Sequence, residues 1–253
     1  MMSTLPTYDA EKLGELLQIL PDVDGVELKL TVPDTDQRPL LRVLGIDPLA
    51  AEIRQVAFFD TPDLRLSAAG LVIRARRTQR KPGDVTVKLR PMLPADAPEG
   101  LRKLAGFKVE VDASPTGFTC SCSLTAEVPD RKVKELMGGT RQLAKVLDEH
   151  QRALVADRLP EGVSLGDLRV LGPVQLLKVK FTPEALPRKL VGEMWMLPGG
   201  RRILELSTKC QQSEAFRVAA ETKVFLSTHG VDLTAPQEMK TKSALAALAA
   251  ETT

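Results

Sequence analysis

Aromatic side chains are scarce in this chain, at 4% of 253 residues with a single tryptophan and a single tyrosine. Base stacking on single strands or RNA needs aromatic platforms, so that mode of binding is disfavoured. An excess of charge is missing too, since 35 basic and 33 acidic residues leave a formal net charge of +2. A duplex-binding surface asks for a marked basic excess, and nucleic acid is therefore not expected as a partner. Cysteine is limited to Cys120, Cys122 and Cys210, and histidine to His150 and His229. An odd cysteine count at spacings outside the zinc patterns reads as reduced thiols. No stretch approaches the roughly 20 apolar residues of a membrane span. Met1–Ala10 has no apolar signal-peptide core. A cytoplasmic protein with no membrane partner is expected.

What the chain does have is charge of both signs set into alternating segments. Val26, Leu28 and Leu30 alternate with Glu27, Lys29 and Thr31; Val85, Val87 and Leu89 alternate with Asp84, Thr86, Lys88 and Arg90. Phe107, Val109 and Val111 alternate with Lys108, Glu110 and Asp112, and Arg74 and Arg76 oppose Ile73 and Ala75. A period of two turns one face of a strand to a core and the other elsewhere. Strands are expected over 24–32, 52–61, 71–79, 84–90, 107–112, 174–182, 189–197 and 201–207, with 114–129 a Ser/Thr/Cys/Pro-rich loop. Helices are expected over 11–20, 37–44, much of 131–159, 211–228 and 238–250, with a helical turn at 63–69 closed by Gly70. No internal repeat is visible.

These alternating faces fit one sheet that closes on itself. Amphipathic helices can cover the apolar faces from outside. The polar faces then meet one another, and buried charges of both signs must be interleaved to avoid unpaired burial. Glu27, Lys29, Arg74, Arg76, Lys88, Arg90, Glu110, Asp112, Lys178, Lys180, Glu193 and Glu205 share the polar parity of their strands. A solvated sheet face is the alternative. An eight-stranded barrel is wide enough for side chains plus one small ligand. The fold class expected is α+β, an eight-stranded antiparallel β-barrel (a tunnel) with helices packed outside, formed by one domain over 1–253 with its core over 24–248.

The ordered motifs Glu27-Leu28-Lys29, Phe58 through Arg76, Val87-Lys88-Leu89-Arg90 and Lys108 through Asp112 resemble the CYTH domains of the triphosphate tunnel metalloenzyme superfamily. Lys178-Val179-Lys180, Glu205-Leu206-Ser207 and Met239 through Leu245 fit that family's second half. The resemblance implies a tunnel that binds a triphosphate or nucleotide small molecule with Mg²⁺ or Mn²⁺. It implies phosphate binding by Lys29, Arg74, Arg76, Lys88, Arg90, Lys178, Lys180 and Lys242, with Lys240 the rival of Lys242. It implies metal binding by Glu27, Glu110, Asp112 and Glu205, and a catalytic role for Glu27 and Lys29. Arg and Lys suit phosphate oxygens, and carboxylates suit hard divalent ions. Trp195, which shares the parity of Glu193, is expected to pack the barrel end. A homodimer is compatible with all of this.

Two positions depart from the family pattern. In its opening Glu-x-Glu-x-Lys signature, Gly25 stands where the first glutamate is expected, with Asp24 next door on the wrong parity. Ser207 stands where a late acid is expected. The resemblance therefore carries three functions: a metal-dependent triphosphatase, a catalytically impaired polyphosphate- or nucleotide-binding protein, and a class IV-type adenylyl cyclase.

Overall fold

A computed structural model describes residues 10–252; the opening segment through Asp9, on which most of the signal-peptide reading falls, lies outside the described residues. The strands are β1 (Gly25–Val32), β2 (Glu52–Asp60), β3 (Leu71–Thr78), β4 (Gly83–Leu89), β5 (Phe107–Ser114), β6 (Gly117–Val128), β7 (Arg169–Phe181), β8 (Leu190–Met196) and β9 (Arg202–Cys210). They close into a barrel in the order β1-β5-β6-β4-β3-β2-β7-β8-β9. Neighbours run antiparallel except β1 and β5, which pair in parallel, with Glu27 opposite Asp112 and Gly25 opposite Glu110. β1 also pairs with β9, placing Glu27 opposite Lys209 and Lys29 opposite Ser207. The first strand thus completes a cylinder whose other edges come from the middle and the end of the chain.

The barrel class is as the alternation implied, but the strand count and one pairing differ. The additional strand is β6, where a loop was expected. Its lumen side carries Thr119, Ser121, Ser123 and Thr125, small hydroxyl residues that read as loop composition. Its outer side carries Cys120, Cys122 and Leu124, which are buried in the main core. The cysteines act there as small apolar residues, and burial pushes the Cys120 thiol up to about 11.

The helices are α1 (Ala10–Ile19), α2 (Gln37–Val43), α3 (Arg65–Ala68), α4 (Asp130–Met137), α5 (Glu149–Ala156), α6 (Ala215–Thr228) and α7 (Lys240–Thr252). Outside the barrel, Leu16 of α1, Val133 and Leu136 of α4 and Leu154 of α5 join Ile73, Val87, Val109 and Val111 in one cluster. A second cluster joins Leu40 of α2 and Phe225 of α6 to Leu30, Leu190 and Leu206. α7 is the exception to helices packing outside. Its Ala244, Leu245 and Leu248 meet Val56, Phe58, Leu171, Val174, Leu176, Trp195 and Ile203, whose side chains share the inward parity. Part of the lumen is therefore hydrocarbon rather than charge, and α7 seats on it. Trp195 lies in this cluster, stacked on Phe58 with ring centroids 6.4 Å apart. No helix among the described residues is long and apolar enough to cross a membrane.

α5 is fixed to the barrel by a buried polar side chain. Gln151 is fully buried, and its amide donates to the carbonyls of Val85 (2.9 Å) and Leu124 (3.2 Å), while its own carbonyl oxygen completes a capping box with Asp148. Buried amides cost free energy unless paired, so this side chain specifies where α5 lies. Gln151→Leu should lower stability by about 2–3 kcal/mol in urea denaturation, because it leaves two buried carbonyls without these donors.

Candidate functional site in the barrel lumen

The segment from Phe58 to Arg76 places two of the lumen arginines, and its local geometry explains its composition. Asp60, buried at the end of β2, accepts the backbone N–H groups of Thr61 (2.8 Å), Leu66 (2.8 Å) and Ser67 (2.9 Å), which caps α3. Gly70 follows at φ +75°, where a Cβ would come 2.5 Å from the carbonyl oxygen of Arg90. Only glycine fits that approach. Its carbonyl accepts the Arg90 N–H at 2.8 Å, which fixes the exit of β4 beside the entry of β3.

The inward charges gather around Asp112, around Asp84, around Glu193 and around Lys209. Around Asp112, Lys29 Nζ lies 2.8 Å from Oδ1, Lys88 Nζ lies 3.3 Å from Oδ2, and Arg90 abuts the same carboxylate. Around Asp84, Arg76 sits at 2.8 Å and Arg74 at 3.9 Å. Around Glu193, Lys178 Nζ lies at 2.8 Å and Lys240 Nζ at 2.5 Å, and Lys240 continues to Glu205 at 2.6 Å. Lys240 also stands 5.6 Å over the Trp195 ring, a cation–π contact. Near the mouth, Lys209 pairs with Glu110 at 2.7 Å and Glu27 at 3.8 Å.

Electrostatic coupling runs across the lumen as well as along its wall. Burial pushes the Arg74 guanidinium down to about 10, helped by Arg76 and opposed by Asp84 and by Glu193 on the far wall. Burial, then Arg90 and Lys29, hold the Lys88 ammonium well below its ordinary range, against the pull of Glu110. Burial lowers Arg90 while Glu205 and Glu27 oppose it. For Glu27 burial works to raise the pKa, but Lys29, Lys209 and Lys240 outweigh it and hold the carboxyl at about 2. Glu193 is likewise held far below the carboxylate range, burial being overcome by Lys240 and Lys178. For Lys240 burial works downward, and Glu205 with Glu193 overcome it to raise the pKa. The Nε atoms of Arg74 and Arg90 are buried with no hydrogen-bond partner.

The structure brings together Glu27, Lys29, Arg74, Arg76, Lys88, Arg90, Glu110, Asp112, Lys178 and Glu205. Lys180 is exposed and Lys242 is exposed on α7, so neither joins the cluster. Helical geometry decides the second case: Lys240 shares the buried face of α7 with Ala244 and Leu248, and Lys242 does not. Asp84, Lys209 and Glu193 are members that sequence reasoning left out of the site, although all three share the polar parity of their strands. Asp24, the acid beside Gly25, is used structurally: its carboxylate accepts the Val109 N–H at 2.7 Å.

The expected Mg²⁺ or Mn²⁺ ligands do not gather as a set. Among the described residues no three His, Cys, Asp or Glu side chains group as a metal site. Asp112 is enclosed by Lys29, Lys88 and Arg90, Glu205 is taken by Lys240, and Glu27 and Glu110 share Lys209. A divalent ion needs several oxygens converging on one point, and these carboxylates converge on ammonium groups instead. The residues present do not fit the metal.

No family model and no curated protein matches the chain. Solved structures do. A candidate adenylate cyclase from Bacillus halodurans superposes with a TM-score of 0.60 at 14% identity, over 87% of this chain and 96% of that one. A candidate adenylyl cyclase from Hippeastrum, described as having a dominant triphosphatase activity, superposes with a TM-score of 0.59 at 18% identity, over 84% of this chain and 91% of that one. The chain shares their fold. The described lumen charges come from β1, β3, β4, β5, β7, β8, β9, the residue that follows β4 and α7, and β2 adds Arg54, which shares the inward parity of Val56 and Phe58 and acts on Arg74 and Lys178.

The depressed carboxylates fix the acid limb of stability. Glu27 and Glu193 titrate lower folded than their ordinary 4.5, so their contribution is present above that pH and is lost as pH falls toward about 2. Stability should drop by on the order of 2–3 kcal/mol across that interval beyond the loss in a Glu193→Gln variant. Glu193→Gln itself should cost about 3 kcal/mol at pH 7, since it leaves Lys178 and Lys240 underpaired. Urea titrations at stepped pH measure both.

Proposed function

We propose that the lumen binds the triphosphate group of a small molecule, inorganic or organic, and that the chain is a member of the triphosphate tunnel superfamily. The observation that carries this reading is the pair of buried guanidinium Nε donors on Arg74 and Arg90 that have no partner. A buried charged donor left unpaired is costly, and phosphate oxygens are the acceptors that Arg matches best. Lys88 supports it, because burial together with Arg90 and Lys29 disfavours its charged form, and an arriving anion would favour that form. The ordered motifs and the shared fold support the same ligand class.

Hydrolysis is the second reading, favoured by the triphosphatase activity of the Hippeastrum protein. Phosphoryl transfer asks mainly for positioning and charge stabilisation, which this lumen offers through Lys29, Lys88 and the arginines. Glu27, held at about 2, is too weak a base to take a proton from water at neutral pH, so its part would be electrostatic. Binding is thus the stronger reading and turnover the weaker. Cyclisation of ATP is favoured by the candidate adenylate cyclase names of the two neighbours alone, with no residue of the lumen assigned to adenine or ribose.

Calorimetry with tripolyphosphate, ATP and orthophosphate tests the proposal. Tripolyphosphate should bind at least about a hundredfold more tightly than orthophosphate, and Arg74→Ala or Arg90→Ala should each weaken it about tenfold or more. No heat with any triphosphate at millimolar concentration would reject it. Phosphate release and cyclic AMP formation, assayed with and without Mg²⁺ or Mn²⁺, separate hydrolysis and cyclisation from binding alone.

Binding should also be linked to protonation of Lys88. Because its pKa is depressed and an anion favours its charged form, tripolyphosphate binding should take up a proton at pH values below the ordinary lysine range. Affinity should fall as pH rises through that range. Calorimetry in buffers of different ionisation enthalpy measures the uptake, and Lys88→Met should abolish it.

A further inference from the structure

The mouth of the lumen holds a cation that the strand pattern did not anticipate. Lys209 lies on β9 in register with Glu27 of β1, and its ammonium reaches past β1 to Glu110 of β5, at 2.7 Å from Oε1. The same nitrogen stands 3.8 Å from Oε2 of Glu27. The β1 residue in register with Glu110 is Gly25, so no β1 side chain stands between the Lys209 stem and its distal partner. A Cβ at that position would come 3.3 Å from the carbonyl oxygen of Cys210, the residue that follows Lys209. Missing side chain and long basic side chain are thus one arrangement: the gap at Gly25 is the path over which Lys209 crosses.

We infer that Lys209 is a resident cation, seated between Glu27 and Glu110 where a divalent ion would otherwise be held, so that this end of the lumen carries its positive charge covalently. An ammonium is a compact point charge with three donors and can serve two carboxylates from opposite sides. A divalent ion entering here would have to expel Lys209 and then face Lys29, which is 3.4 Å from Glu27. Asp112 offers no second foothold, since Lys29 and Lys88 already hold both of its oxygens. For a polyanion the consequence is a lumen ready without metal, a point that rests on the triphosphate-binding reading; the seat itself does not.

The test uses Mn²⁺ alone, followed by electron paramagnetic resonance of the free ion, on the full chain and three variants. The native protein and Lys209→Arg should bind no Mn²⁺ at millimolar concentration. Lys209→Met, which keeps the stem and removes the charge, should raise Mn²⁺ affinity by about tenfold or more, and Lys209→Gln serves as the second neutral variant. The Lys209 side chain is 57% exposed, so both neutral variants should fold, as checked by circular dichroism. Tight Mn²⁺ binding by the native chain, or no gain in either neutral variant, overturns the inference. Tripolyphosphate binding in EDTA is measured separately on the native chain. If it fails while the Mn²⁺ pattern holds, the triphosphate reading falls and the resident cation stands.

Discussion

Closing a sheet around charged side chains removes most of their water, and every other property of this lumen follows from how that loss is offset. An ion moved from water into a protein interior loses several kcal/mol of hydration, and only well-placed partners return it. Here the return is made by sharing: Asp112 serves three basic groups, Glu193 serves two, and Lys240 joins Glu193 to Glu205. Basic groups outnumber the acids they surround, so the network balances incompletely, and the orphaned Nε atoms of Arg74 and Arg90 are where the imbalance shows.

The same network ties the architecture together. β1 pairs with β5 on one side and β9 on the other, so the first strand is the closing stave of the barrel. Its Glu27 and Lys29 touch partners on both neighbours, Lys209 on β9 and Asp112 on β5. α7 joins the last part of the chain to the lumen in two ways at once. Its Ala244, Leu245 and Leu248 bury apolar surface against inward-facing residues, while Lys240 at its start supplies charge to Glu193 and Glu205. Packing and electrostatics therefore hold one helix in one place.

Much of this was legible in the sequence because strand parity is a strong signal wherever large apolar residues alternate with charges. β1, β4 and β5 were readable on that ground, and so were Glu27, Lys29, Lys88, Arg90 and Asp112. β6 was not, because hydroxyl residues on one face and cysteines on the other weaken the contrast that alternation depends on. The parallel pairing of β1 with β5 was invisible for another reason: parity reports which face a residue takes and says nothing of which strand lies beside it. Lys209 escaped because its importance depends on a residue on another strand having no side chain, a relation between Gly25 and β9 that no linear spacing records. The parity of Glu27, Glu110, Asp112 and Glu205 is readable along the chain, but the positions of Lys209 and Lys240, with which Glu27, Glu110 and Glu205 pair, are not.

One consequence follows from the placement of the chain's single tryptophan. Trp195 stacks on Phe58 at the apolar end of the lumen and lies beneath the Lys240 ammonium, with Glu193 two residues away along β8. Indole emission is sensitive to nearby charge, and no second indole is present to obscure it. The protein thus contains its own optical gauge, set at the junction of the oily and ionic halves of the cavity, through which any rearrangement of Lys240 can be followed in real time without a label.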